Sequence, residues 1–171
     1  MLRPQDIFVV LKLAICGQLW TYDYVAHELG LSSSVVHRSV ERVAKAGLFN
    51  LGRREVNRPA LLEFLIHGVR YAFPAEWGGE ARGIPTAWAA APLSAGLFHS
   101  GNNPPVWPAP HGKTLGIALE PLDPRVPDAV IRDQLLGELL ALVDAIRIGG
   151  ARERSLAAKE LEALLPGKKG A

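Results

Sequence analysis

Ten of the thirteen prolines in this 171-residue chain fall between residues 72 and 127, and no other feature constrains its fold as tightly. Proline holds φ near one value and has no N–H to donate, so this stretch is expected to form neither long helices nor central strands. Trp77, Trp88 and Trp107 lie in the same stretch. Leaving three indoles in water would forgo much apolar burial, so the segment reads as an irregular but ordered wrap over a core. A ligand pocket or a partner groove is the other role open to a segment of this length.

On either side the chain has helical periodicity. From Arg3 to Cys16, apolar residues recur at Ile7, Val10, Leu11, Ala14 and Ile15, behind a proline near the start. A second helix, capped by Thr21 or Asp23, carries Val25, Ala26 and Leu29 and is stopped by Gly30. Ser32 is placed to cap a third, with Val36, Val40 and Val43 on one stripe and Gly47 at its end. Residues 48–58 predict a short β-hairpin turning around Gly52, and Pro59 opens a fourth helix ending near Tyr71. Helical periodicity returns from Asp128 to about Leu165, interrupted by Gly149 and Gly150, with a tail frayed from Gly167. The expected architecture is therefore mainly α. It has an N-terminal unit over residues 1–71, the Pro/Gly/Trp-rich segment over 72–127, and C-terminal helices over 128–165.

Composition removes several function classes. No run of about 18 apolar residues occurs, so no membrane span is expected. Lys12 interrupts the apolar stretch Ile7–Cys16 and no cleavage pattern follows, which does not suit a signal peptide. Cys16 is the only cysteine, which excludes an intrachain disulfide or a cysteine metal cluster and favours the cytoplasm. His99 and His111 stand twelve residues apart without thiols, a poor basis for zinc. The chain holds no phosphate-cradling P-loop, no Gly-x-Ser-x-Gly elbow and no His-Glu-x-x-His, so neither catalysis nor a cofactor is expected. Charge is unevenly distributed. Residues 1–58 carry eight Lys/Arg against five Asp/Glu, and the remainder eleven against twelve. The mild positive excess of the first third suits a phosphate-facing module.

The most informative stretch runs from Tyr24 to Leu48. Ala26 is small where two helices must cross, Gly30 can take the positive φ of a tight turn, and Leu31 plugs beneath it. Facing Val36, Val40 and Val43 inward leaves Ser33, Ser34, Val35, His37, Arg38 and Arg42 on outer faces. The pattern Ala26…Leu29-Gly30-Leu31-Ser32-x-Ser34-x-Val36-x-Arg38…Val43-x-x-Ala46-Gly47-Leu48 resembles the winged helix-turn-helix of MarR-like and IclR-like transcription regulators. The resemblance covers about residues 5–58. It implies a recognition helix from Ser32 to Arg42, with Arg53 and Arg54 at the tip of the wing.

Duplex DNA is thus the expected partner, with Ser32, Ser33, Ser34, His37, Arg38, Arg42, Arg53 and Arg54 as contact residues. Arg38 is placed to read a base, whereas Arg42 lies further along and suits phosphate. For each of these residues an ordinary solvated side chain is the alternative. The Asp128–Ile148 stretch is apolar on more than one side (Leu135, Leu136, Leu139, Leu140, Leu142 and Val143), which predicts a homodimer interface and a two-fold repressor. The rival reading is a protein-interaction or antitoxin-like subunit, with the basic stretch Arg147–Arg154 as a partner-binding arm.

Overall fold

The computed structural model describes residues 1–96 and 103–167, so His99 and the tail beyond Gly167 lie outside the described residues. The fold is mainly α with a small mixed sheet. Among the described residues no helix is long and apolar enough to cross a membrane.

Three helices open the chain. Helix α1 (Pro4–Ile15) is buried along almost its whole length, including Asp6 and Lys12. Helix α2 (Tyr22–Leu29) is capped by the Thr21 hydroxyl, which accepts from the Tyr24 N–H, and it ends on Gly30 at φ +69°. That left-handed conformation is the one the short turn requires of a glycine. Helix α3 (Ser33–Lys45) starts from Ser32, whose hydroxyl accepts from the Val35 N–H. It buries Val36, Ser39, Val40 and Val43. The two-residue strands β1 (Phe49–Asn50) and β2 (Glu55–Val56) pair antiparallel. Helix α4 (Arg58–His67) follows, and Gly68 separates it from the single turn α5 (Val69–Ala72).

The proline-rich segment overturns the expectation of an irregular wrap. Strands β3 (Trp77–Pro85), β4 (Pro105–Pro108) and β5 (Thr114–Leu119) close into a three-stranded barrel, in which β3 runs antiparallel to both others and β4 parallels β5. The prolines are compatible because they fall at strand ends: Pro85 closes β3, and Pro105 and Pro108 bound β4. So tight a barrel needs backbones in near contact. A Cβ at Gly83 would lie 2.0 Å from the Trp107 carbonyl oxygen, and one at Gly116 2.1 Å from that of Pro104. Two 3₁₀ turns (Ala87–Ala89 and Leu93–Ala95) precede β4.

The C-terminal helices are α6 (Val126–Arg132), α7 (Gln134–Ile148) and α8 (Ala151–Leu164). The expected continuous helix from residue 128 breaks at Asp133, whose carboxylate caps α7 by accepting from the Leu136 N–H. Helix α7 is the hub of the molecule, with α1, α5, α6, α8 and the first 3₁₀ turn packed around it. Leu136, Leu139, Leu140, Leu142 and Val143 are fully buried within their own chain. Most of the apolar surface that suggested a dimer interface is therefore covered in cis, while Leu135 of the same set and Ile131 on α6 stay exposed. The basic stretch Arg147–Arg154 is divided between two environments, with Arg152 exposed. The Arg147 side chain is largely covered, donating to the Asp144 carboxylate and the Phe73 carbonyl, and residues 151–154 are the first turn of α8.

A buried polar knot fastens the barrel to this hub. The Asp144 carboxylate accepts from Thr86 Oγ1 (2.8 Å), Trp107 Nε1 (2.8 Å) and Arg147 (2.9 Å). Burial pushes this carboxyl above its ordinary range, against the opposing pull of Arg147, Thr86 and Trp107. Each bond converges on one side chain of α7, so the arrangement holds β4 and the first 3₁₀ turn in register with the helix.

Candidate nucleic-acid interface

The outer side of α3 is a single exposed stripe of Ser34, His37, Arg38, Glu41 and Lys45. Its register follows from the inward residues Val36, Val40 and Val43, which are all fully buried and turn the intervening positions outward. At its N-terminal end, Ser32 and Ser34 are hydrogen-bonded through their hydroxyls (3.2 Å), and Ser33 donates to the Asp23 carboxylate on α2. His37 rests on the Tyr22 ring at 4.8 Å between centroids and has Glu41 at 3.4 Å, one turn on. Arg38 is exposed and has no hydrogen-bonding or ionic partner among the described residues.

Arg42 is placed differently from its neighbours. Its guanidinium turns into the fold and grips the fully buried Asp6 in a two-pronged contact, Nε to Oδ2 at 2.8 Å and Nη2 to Oδ1 at 2.7 Å. The hydrogen bonds to Asp6 push its already high pKa further up. This pair clamps α3 to α1 and leaves Arg42 little freedom to reach outward.

The β1–β2 hairpin separates its two arginines. Arg53 stands at the tip, its side chain 78% exposed and only loosely facing Glu55 at 3.9 Å, while Asn50 Oδ1 accepts from its backbone N–H to shape the turn. Arg54 adopts φ +52° and folds back. It donates to the Trp20 carbonyl at 2.9 Å and lies 4.3 Å over the Trp20 ring. Trp20 in turn meets Tyr22 and Phe49 edge-on. Arg54, Trp20, Tyr22 and His37 thus form a stack that joins the hairpin to α3.

A cleft of about 820 Å³ lies behind the hairpin, between the end of α1 and the start of α4, with Leu13, Phe49, Arg53, Arg54 and Arg58 among its lining. Arg58 spans it, donating to the Ala14 carbonyl at 2.6 Å. On the opposite side of α1, buried Lys12 binds Asp133 (2.6 Å) and Glu28 (3.3 Å). Desolvation there opposes its charge, but the two carboxylates outweigh it and the Lys12 pKa is raised. Burial pushes the Cys16 thiol up. No group of three His, Cys, Asp or Glu residues among the described residues is arranged to hold a metal ion.

Of the eight residues expected at an interface, the structure brings Ser32, Ser33, Ser34, His37 and Arg38 together on the first turns of α3 and its cap. Arg53 projects from the hairpin, and Arg42 and Arg54 serve internal contacts. Lys45 extends the exposed stripe and was missed, although its position seven residues after Arg38 places it two turns along the same face. The Trp20–Tyr22 platform had no sequence signal, since its partners come from three separate elements. Comparison with family models, curated proteins and solved structures returns no match.

Proposed function

We propose that this protein is a sequence-specific duplex-DNA-binding regulator, with residues 4–58 acting as a winged helix-turn-helix. The observation that carries the reading is the paired exposure of Arg38 on α3, which has no ionic partner among the described residues, and Arg53 at the hairpin tip, which faces only Glu55, at 3.9 Å. A major groove admits a helix, and a guanidinium on its first turns can meet guanine O6 and N7 together. Arg53 and Lys45 suit phosphate, while Ser32, Ser33, Ser34 and His37 are available to the backbone or to base edges. Arg42 and Arg54 act in this proposal by holding α3 and the wing in place.

The test is binding to DNA upstream of the protein's own gene and to random DNA of equal length, across a salt series. Affinity should fall steeply with salt through release of counterions. Arg38→Ala should cost about 1–3 kcal/mol on the specific site and much less on random DNA. Arg53→Ala should weaken both and reduce the salt slope by about one unit. An Arg38→Ala variant with an unchanged ratio of specific to random binding removes Arg38 from base reading, and wild-type protein that binds neither DNA at low salt defeats the proposal.

A further inference from the structure

At the open end of the barrel, a groove of about 440 Å³ runs between β3, the end of β5 and the segment leading into α6. Its walls are Trp77, Pro108, Pro121 and Pro124, and two carboxylates, Glu76 and Glu120, border it. Trp77 is 51% exposed in a chain that buries Trp20 and Trp107 almost completely, so the indole is held open to water by its place in the fold. The proline walls are rigid and carry no N–H, which makes them apolar surfaces that lose no conformational entropy on contact. At the floor, β3 takes one extra residue between Trp77 and Glu80, opposite Leu119 and Ile117 of β5. This bulge, at Gly78 and Gly79, loosens the ladder beside the groove.

The charge pattern identifies the occupant. The Glu120 N–H donates to the Glu76 carbonyl at 2.9 Å, which sets the two glutamates side by side across the strands. Both are exposed, and neither has a cationic partner among the described residues. Like charges in neighbouring cross-strand positions repel, and a cation placed between them relieves that repulsion. The exposed Trp77 indole lines the same groove and adds an apolar wall to those of the prolines. Phosphate is repelled here, so the site is not an extension of a DNA-binding surface. Its volume suits one long side chain and its flanks, not a small domain.

We propose that this groove docks an extended, lysine- or arginine-bearing segment of a partner protein, with the cation between Glu76 and Glu120 and the flanking apolar residues against Trp77 and the prolines. The proposal is independent of the DNA-binding reading, because the groove shares none of the residues assigned to DNA.

The experiment uses the full chain with ¹⁵N-labelled tryptophans, following the indole N–H signals, with that of Trp77 assigned by its loss in Trp77→Phe. The probes are short peptides in which arginine, lysine, citrulline or glutamate stands between varied apolar residues and flanking prolines. Arginine and lysine peptides should move the Trp77 signal saturably and leave those of Trp20 and Trp107 in place. Replacing arginine by uncharged citrulline, or the protein's carboxylates by Glu76→Gln with Glu120→Gln, should weaken binding about five- to tenfold. Both substitutions are isosteric and exposed, and unchanged signals from Trp20 and Trp107 will show that the fold is kept. The proposal is overturned if citrulline peptides bind as tightly as arginine peptides, if the double variant binds as well as wild type, or if no peptide of the set saturates at millimolar concentration. A duplex oligonucleotide that shifts Trp77 as the arginine peptides do also overturns it.

Discussion

The N-terminal unit (residues 4–67) and the barrel (residues 77–119) both lean on α7, yet opposite rules build them. In the first, each helix carries its own instructions: caps at Thr21 and Ser32, a stop at Gly30, and a buried stripe at Val36, Val40 and Val43. A few long-range contacts fasten these helices together, among them the Asp6–Arg42 clamp and the bonds of Arg54 and Arg58 to the Trp20 and Ala14 carbonyls. In the barrel almost nothing is local. Strand β3 shows no clean alternation of buried and exposed residues, and its pairing depends on glycines at Gly83 and Gly116 that let distant backbones touch. Local periodicity specifies an element whose hydrogen bonds lie within itself. It cannot specify one whose partners are thirty residues away.

Breaking the N-terminal clamp should have the largest effect. Arg42→Ala leaves Asp6 fully buried without its cation, at a cost of about 3–5 kcal/mol in urea unfolding. If the variant is nearly as stable as wild type, the coherence of this unit comes from its apolar stripe alone, and the clamp is incidental.

The barrel should be most sensitive where its backbones cross. Gly83→Ala introduces a methyl group 2.0 Å from the Trp107 carbonyl oxygen. Forcing the strands apart should cost about 1–3 kcal/mol or more, with DNA affinity unchanged. A wild-type melt for this variant would mean that the crossing is looser than described, and a lost DNA affinity would mean that the two regions are not separable.

The join between the regions is tested by Trp107→Phe, which keeps an aromatic ring but removes one of the donors to buried Asp144. Leaving that carboxylate short of a partner should cost about 1–3 kcal/mol. In a double-mutant cycle with Asp144→Asn, most of that cost should appear as coupling. Additive effects would show that the indole contributes by packing only.

The smallest expected effect sharpens the comparison within the hairpin. Arg54→Lys keeps the charge but alters the contact over Trp20, so stability should fall by about 0.5–1 kcal/mol while the salt slope of DNA binding stays as in wild type. A slope reduced by about one unit, as expected for Arg53→Ala, would return Arg54 to the phosphate contacts.

Legibility in the sequence follows the same division. The first four helices, the hairpin, the caps and the inward face of α3 can be read from spacing, because each is a property of a few adjacent residues. The exposure of Arg38 follows directly from that inward face. Arg42 cannot be assigned in this way, since only the buried Asp6, 36 residues earlier, explains why it points inward. Arg54 likewise needs Trp20 to reveal its role. The prolines mislead for a physical reason: a proline excludes the middle of a sheet, but not the ends of short strands, and this barrel places its prolines there.

By itself, then, the sequence determined a helical N-terminal unit with a capped, amphipathic third helix, a hairpin behind it, and helices at the C-terminal end. Periodicity, capping and turn chemistry act over a few residues and need no distant partner. The tertiary structure alone decided that the proline-rich segment closes into a barrel and that most of the apolar residues of α7 are buried by their own chain. It also decided that Arg42 and Arg54 brace the fold, and that Trp77 stays open on a groove bordered by Glu76 and Glu120. Each of those outcomes depends on which surfaces meet across long sequence separations. The same apolar stripe or charged side chain fits a core, a dimer or a ligand until the neighbouring element arrives to cover it.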